Sequence, residues 1–339
     1  MNGMDISNEF SETAERLFAD LATPGALEAA EAGHLPEALW QAIDQAGFGL
    51  VLVPEDREGI GGGMPEAGAI LAAAGRHSVP GPLLELVLGN ELLAWTGAVP
   101  ATAPLALAFT AQPVREGTRT VLRDVPWARA ASQVLVVGSV GAMAVLASVP
   151  AGRLAMRDEV ADASGEPLAR VELPEDTAWH ALPGRSFDEW LARAALLRGA
   201  QMIGAMRWCL ERTTAYTLER RQFGREIAKF QAVQQLMAEM ASAVVAANAI
   251  LDAAMVQPST LALVAAARSR LGDAADVVFA NAHQVHGALG FSHEYVLHFR
   301  TRRLMAWRDQ FGTVAHWRRV LAGGFAGLKA DEVWPAIAG

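Results

Sequence analysis

Apolar and polar positions divide the chain into three regimes. From residue 9 to 100 the spacing is helical. EFSETAERLFADLA sets apolar residues three and four apart with acidic residues between them. LPEALWQAIDQAGF opens with a proline suited to a first helical turn and closes at a glycine. MPEAGAILAAAGRHS and PGPLLELVLGNELLAWTG predict two further helices. The glycine-rich stretch EDREGIGGG, residues 55–63, lacks the G-x-G-x-x-G spacing and follows no strand of a βαβ unit, so it is expected to be a flexible turn, not a dinucleotide loop.

Residues 101–185 change period. PLALAFT, TVLRDVPWA, QVLVVGSVG, MAVLASV and ARVEL are short β-prone runs separated by Gly, Pro and Asp, which predicts a small antiparallel sheet domain. Residues 186–339 return to helix. Ser186 and Glu189 have the spacing of a capping box at the start of a long helix. A second helix is expected from about Ile227 to Val256, a third from near Ser259 to His286, and a shorter one from about His293. Close Ala and Gly spacing lets them pack tightly as a bundle. The fold class is therefore mainly α with a small central β domain, in three parts: 1–100, 101–185 and 186–339.

The 339 residues suffice for two or three domains with a sizeable core. The net charge of −9 argues against a nucleic-acid binder, so an anionic ligand must meet a local arginine cluster. Such clusters occur at 220–225 and 300–308. No run reaches the ~20 uninterrupted apolar residues of a membrane helix. The acidic start MNGMDISNEFSE resembles no signal peptide, and the single cysteine, Cys209, permits no internal disulfide. A cytoplasmic protein without membrane attachment is expected.

The most unusual stretch is ERRQFGREIAKFQ, residues 219–231, which breaks two apolar, Ala-rich helices. Arg220, Arg221 and Arg225 offer charge-assisted donors to phosphate. Gln222 adds amide hydrogen bonding, Phe223 a flat apolar face, and Gly224 a tight turn. The following helix presents free N–H groups. This suits a nucleotide diphosphate; a solvated corner with Phe223 plugging the core is the plainer alternative.

RRQFGREIAKFQAVQQLMAEM resembles the acyl-CoA dehydrogenase pattern R-x-Q/T-F-G followed by F/H-Q and a helix ending L-A-D/E-M. LWQAIDQAGFGLVLVPEDREGIGGG and HQVHGALGFSHEYVLHFRTRR resemble two further family segments, and the helical–β–helical order agrees. The resemblance implies a C-terminal four-helix bundle and FAD as cofactor. It places Arg220, Gln222, Phe223 and Gln231 at the pyrophosphate and adenine side of FAD, and Gln284, Gly287 and Ala288 in a second FAD loop, with Ala288 replacing a glycine. In the family these contacts serve a neighbouring subunit, so it also implies a homodimer or tetramer, or a heterotetramer with a catalytic paralogue. An acyl-CoA substrate and electron-transferring flavoprotein as acceptor follow from the same likeness.

In that family a carboxylate removes the proton α to the thioester carbonyl while hydride leaves the β carbon for the flavin. The usual glutamate precedes G-T or G-S. Here RDQFGT puts Phe311 in its place, ahead of Gly312 and Thr313. The alternative family position falls near Ala194, again without a carboxylate. Asp309 is the candidate substitute base; Asp188 and Glu189 fit a helix N-terminus on dipole grounds. AFTAQPVREGT keeps little of the family's T-E-P-x-x-G-S-D stretch, which points to thinner cover over a flavin. The chain is thus expected to be an FAD-dependent acyl-CoA dehydrogenase, active alone or through a partner; a non-enzymatic subunit that completes an FAD site or binds acyl-CoA is the alternative. His283 and His286 lie three apart, but no further ligands accompany them and no metal is expected. Arg300, Arg302, Arg303 and Arg308 read as a solvated helix face or a contact with an acidic subunit neighbour, with CoA phosphates as the other partner open to them, and the Met residues of 202–240 as core packing.

Overall fold

The computed structural model describes residues 3–110, 120–159 and 164–338. Five helices open the chain: α1 (Gly3–Leu21), α2 (Pro24–Glu31), α3 (Glu37–Gln45), α4 (Met64–His77) and α5 (Leu83–Trp95). Helix α5 is mostly apolar and is buried on every side from Leu83 to Ala94, Glu85, Asn90 and Glu91 included. Its one amide, Asn90, bonds the carbonyls of Gly49 and Ala101 at 3.0 and 2.9 Å and accepts from the Ala101 N–H at 2.7 Å. The turn at 55–63 is tightly knit, not flexible. Gly59, Gly61 and Gly62 donate to Pro54, Val53 and Val51, and a Cβ on Gly59 would collide with the Val53 carbonyl.

The middle of the chain forms two small sheets. One has the order β1 (Leu105–Phe109), β3 (Gln133–Val140), β4 (Met143–Pro150), β7 (His180–Ala181); the other is β2 (Val121–Pro126), β6 (Leu168–Glu172), β5 (Ala155–Glu159). The expected all-antiparallel sheet is corrected: β1 and β3 run parallel. Strand β2 departs to the second sheet, so the chain returns beside β1 in the same direction. Strand alternation divides the burial. Ala106, Val134 and Val136 pack between the sheets with Leu122, Val125 and Val171, while Leu105, Leu107 and Leu135 join the helical core. Most of AFTAQPVREGT lies outside the described residues.

Helix α6 (Phe187–Glu219) starts at the expected capping box: the Ser186 N–H donates to Glu189 at 2.7 Å, and the Glu189 N–H to the Ser186 hydroxyl at 3.3 Å. It crosses α4 backbone to backbone. A Cβ on Gly204 would collide with the Ala72 carbonyl, and one on Gly75 with the Gln201 carbonyl. A hairpin, β8 (Arg221–Gln222) and β9 (Arg225–Glu226), leads to α7 (Gln231–Val256), then α8 (Leu261–His286), α9 (Leu297–Trp307), α10 (Val314–Gly323) and α11 (Ala330–Ala338). Met202, Met206 and Met240 are core residues as expected. Helix α7 is long and apolar enough by composition to cross a membrane, yet only 39% of its most apolar window is buried within the chain.

The arginines of α9 are not a solvated face. Arg300 and Arg303 are buried. Arg300 donates to the Arg76 carbonyl at 3.0 Å and lies 4.1 Å over the Trp208 ring. Burial pushes its pKa down to about 10. Arg302 pairs with Glu31 at 3.1 Å, and Arg308 with Asp276. These cations join α9 to the N-terminal helices and to α8.

Candidate cofactor and substrate site

Helices α6, α7 and α8 alternate in direction, so the end of α6, the start of α7 and the end of α8 meet at one end of the bundle. There Tyr216 stacks on His286 with centroids 4.4 Å apart. Arg212 donates to the Tyr295 hydroxyl at 3.0 Å, and that hydroxyl meets His286 Nε2 at 3.1 Å. His286 Nδ1 faces the Ala282 carbonyl at 2.8 Å, which makes Nδ1 the protonated nitrogen and leaves Nε2 to accept. His283 and His286 belong to this packing, and among the described residues no cluster suited to a metal occurs.

The hairpin projects from this end. Its two turn residues, Phe223 and Gly224, both have positive φ, 50° and 81°, the geometry of a two-residue turn that matches strand twist. A phenylalanine there is strained, and its ring is 89% exposed. The alternative in which Phe223 plugs the core is therefore set aside in favour of an outward-facing ring. Phe230 meets it edge-on at 6.1 Å, and Arg225 lies 4.2 Å over Phe230. Glu226 is held by Lys229 at 2.9 Å and by Arg221 at 3.8 Å, with the lysine's hydrogen bond keeping its carboxyl below the usual range. Arg220, Gln222 and Gln231 are exposed beside the turn.

The second loop follows α8. Gln284, Gly287 and Ala288 are exposed, Gly287 has φ 60° with open space where a side chain would project, and Phe291 is 72% exposed. The structure thus brings all seven predicted cofactor residues to one open end of the bundle. Outward donors, unfilled space at two glycines and bare aromatic rings fit the phosphate and adenine parts of a flavin nucleotide that arrives from outside the chain.

The predicted base position is elsewhere, at a cavity of about 440 Å³ between the β domain and the helices. Phe311, φ 54°, forms its wall with Phe109 and Phe187: Phe109 lies 5.7 Å from Phe311 and 5.8 Å from Phe187, edge-on to both. Behind the wall Arg198, from α6, stands 5.6 Å from Phe311 and 5.2 Å from Trp307. Its charge is met by Glu85 of α5 at 2.7 Å and by the Gln201 amide oxygen. Arg268 of α8 donates to the carbonyls of Gln310, Arg308 and Trp307 at 2.9, 3.2 and 3.4 Å. Those carbonyls lie at and just past the end of α9, where helical partners run out, and the Trp307 carbonyl also accepts from the Gln310 N–H at 3.3 Å. Burial pushes Arg268 down to about 10, still protonated at neutral pH, so it holds the 308–311 turn as a cation at a helix C-terminus.

Asp309 does not line this cavity. It is exposed, 3.9 Å from Arg308. Asp188 is exposed in the first turn of α6, and Glu189 caps that helix; its carboxyl is held low by the Ser186 bonds. Ala194 is fully buried. The carboxylates that do line the cavity are Glu85 and Asp124. Sequence reading missed Glu85, Arg198 and Arg268. The available signal was charge inside apolar runs: one glutamate in PLLELVLG and two arginines each in ARAALLRGAQ and LVAAARSRLG.

Comparison with known proteins agrees with this architecture. The model of the acyl-CoA dehydrogenase N-terminal domain matches residues 5–98, and that of the C-terminal domain residues 185–323. The acyl-CoA dehydrogenase IpdE2 of Mycobacterium tuberculosis is 30% identical over 297 residues, covering 86% of this chain and 88% of its own. The fold superposes on a chain of the ChsE4–ChsE5 complex of the same organism with TM-score 0.84 at 21% identity, covering 97% of this chain and all of that one. Butyryl-CoA dehydrogenase from Megasphaera elsdenii gives 0.80 at 17% identity, covering 96% and 99%. The chain belongs to the acyl-CoA dehydrogenase family, a family of FAD flavoprotein oxidoreductases.

Proposed function

We propose that this chain is a subunit of an FAD-dependent acyl-CoA dehydrogenase that desaturates the α,β bond of an acyl-CoA thioester, and that it works in a mixed assembly with a catalytic paralogue. The observation that carries this reading is the contrast between its two half-sites. The open end keeps a strained, outward Phe223 among arginines and amides, while the position of the base is closed by Phe311 and its aromatic wall.

In this reading Arg220 and the α7 N-terminus neutralise the diphosphate, and Gln222, Gln231 and Gln284 take its remaining hydrogen bonds. Phe223 packs on the nucleotide or on the partner surface around it. Bound FAD supplies the acceptor for the hydride from the acyl β carbon. The proton from the α carbon needs a carboxylate within hydrogen-bond reach. Glu85 is tied to Arg198, and the partner subunit supplies the base. The exposed apolar face of α7, with Val245 and a row of alanines, is the surface a partner covers. Electron-transferring flavoprotein is the expected acceptor of the electrons.

The filled wall also favours a second reading, a non-enzymatic subunit that completes an FAD site or binds acyl-CoA. The two separate by purification. The chain is prepared alone and co-expressed with a paralogue that retains the glutamate, and visible spectra and acyl-CoA-dependent dye reduction are recorded. Flavin absorbance and turnover in the co-purified sample alone support the proposal. Turnover by the isolated chain refutes the need for a partner. Absence of flavin from both samples rejects the redox reading and leaves the acyl-CoA-binding form of the second one.

A further inference from the structure

A second cavity, of about 510 Å³, shares no lining residue with the first. It lies where the end of α5, the 183–186 turn and the loop before α4 meet the end of α7. Arg185, Arg193, Glu91 and Trp95 form one side, and Met64 and Met255 face them as an apolar wall. Two guanidinium groups here share one buried carboxylate. Arg193 takes all of it: its Nη2 donates to Glu91 Oε1 and Oε2 at 2.6 and 2.7 Å, and its Nε to Oε2 at 3.2 Å.

Arg185 is left over. Its nearest approach to Glu91 is 4.0 Å, beyond hydrogen-bond length. The other acid of this turn, Glu189, is engaged in the Ser186 cap. The Arg185 guanidinium makes no hydrogen bond among the described residues, and its Nη1 is buried without a partner. It is nonetheless fixed in place. Its Cζ stands 5.0 Å from the Trp95 ring and 5.1 Å from the Trp190 ring, and those indoles meet edge-on at 6.2 Å. The preceding Gly184, φ 84°, brings the turn so close that a Cβ would lie 3.2 Å from the Trp95 ring. A planar fork of donors, pinned by two aromatic rings and lacking an acceptor, is a preorganised half of a bidentate pair.

We propose that this cavity binds an aliphatic carboxylate, its headgroup on Arg185 and its chain against Met64 and Met255. Among the residues lining the cavity, two arginines and one glutamate leave a single positive charge, with Glu189 outside the lining acting on Arg185 only through space; a carboxylate suits that balance better than a dianionic phosphate. The apolar wall selects a hydrocarbon body over a small polar acid. A free fatty acid and the terminal carboxylate of a dicarboxylic acyl-CoA present the same headgroup. The inference does not depend on flavin binding and is tested without it.

The experiment is calorimetric titration of the full chain with octanoate, octanol, octanoyl-CoA and octanedioyl-CoA. Octanoate is expected to bind at least tenfold more tightly than octanol, and Arg185→Gln to weaken it at least tenfold. Arg185→Lys, which keeps the charge without the fork, should fall between. Phe187→Ala, in the wall of the first cavity, should leave octanoate binding unchanged. If octanoate binds weakly, but octanedioyl-CoA exceeds octanoyl-CoA by an Arg185-dependent factor of ten, the site reads an acyl terminus. Equal affinities for octanoate and octanol overturn the proposal. So do an Arg185→Gln variant that binds as the parent does, a loss caused by Phe187→Ala, and no Arg185-dependent binding of either carboxylate.

Discussion

The Glu85–Arg198 pair yields the sharpest energetic test of how the Phe311 wall is held. Both side chains are buried, at 2% and 3% exposure, and they join α5 to α6 directly behind the aromatic ring. Replacing Glu85 by Leu leaves a guanidinium facing Gln201 and two ring faces with no counter-charge. Breaking such a pair from one side costs about 3–5 kcal/mol, because the surviving charge stays buried. Arg198→Met strands the carboxylate instead, and adds the loss of two ring contacts worth about 0.5–2 kcal/mol each. Summed, the singles predict a loss of roughly 7–14 kcal/mol for the double variant. Glu85→Leu/Arg198→Met, however, replaces both charges with apolar groups of similar volume, which is often neutral or stabilising by about 1–4 kcal/mol. After the lost ring contacts are included, the double should lie within about 4 kcal/mol of the parent. Equilibrium urea unfolding, followed by far-ultraviolet circular dichroism and tryptophan fluorescence, measures all four corners of the cycle. A coupling energy below about 0.5 kcal/mol would mean the two groups act independently and would refute the reasoning.

Phe223→Ala should lower flavin retention in the co-purified assembly at least tenfold while leaving the dichroism spectrum unchanged, since the ring packs little within its own chain; gel filtration and flavin absorbance read the outcome. His283 and His286 are held below the usual histidine range chiefly by burial, so the folded form stays neutral where the unfolded chain takes up protons. Stability should therefore be constant above about pH 6.5, the ordinary histidine value, and fall as pH drops below it, with a shallower slope in His286→Gln, as urea midpoints between pH 5 and 8 will show. Arg268→Met should cost about 2–4 kcal/mol by stranding the Arg308 and Gln310 carbonyls, since Trp307 keeps the Gln310 N–H, and make the 308–311 amides exchange hydrogen faster while α8 remains protected. Burial pushes the Cys209 thiol up to about 12, so thiol reagents should label the native chain only as fast as it unfolds.

Period and punctuation made the broad plan legible in the sequence. The change from helical spacing to short β runs near residue 101 and back near 186 marks real boundaries, and the Ser186–Glu189 cap was readable because both partners lie within four residues. Local rules failed where a distant element decided the outcome. Helix α7 starts at Gln231 and not Ile227, because Ile227–Lys229 first make a single tight turn out of the hairpin. Helix α9 starts at Leu297, not near His293, because residues 287–291 form their own short turn after α8. The parallel β1–β3 pairing depends on β2 leaving for another sheet, and no alternation within either strand records that. The cations of α9 looked solvated because their acceptors, the Arg76 carbonyl and Glu31, lie more than two hundred residues upstream. The proposed cofactor corner was the opposite case: its residues cluster in thirteen consecutive positions and in five more at the end of α8, so their proximity at one end of the bundle needed few distant contacts to foresee.

The two half-sites differ in whom they serve, and that difference explains their separate states on the proposed reading. Phe223, Gln222 and Gln284 face away from their own chain, so selection on them acts through a neighbour's flavin. The slot at Phe311 faces inward, between α5, α6 and the β domain, and any chemistry there belongs to this chain. A chain relieved of its own proton transfer is free to fill that slot with a ring, and an edge-on aromatic wall over a buried ion pair packs better than an idle carboxylate would. The same chain cannot relax its hairpin without loosening the partner's cofactor. Reinstating the acid therefore separates the roles. Phe311→Glu would set a carboxylate near Arg198 but forfeit the aromatic contacts with Phe109; Phe311 is half-buried, so the loss should be smaller than the ~3–5 kcal/mol of a fully buried aromatic. It should leave the partner's turnover in the co-purified assembly unchanged. A gain of the ~10²–10⁴-fold that a general base contributes would instead show that this slot already contains substrate and lacked only its base.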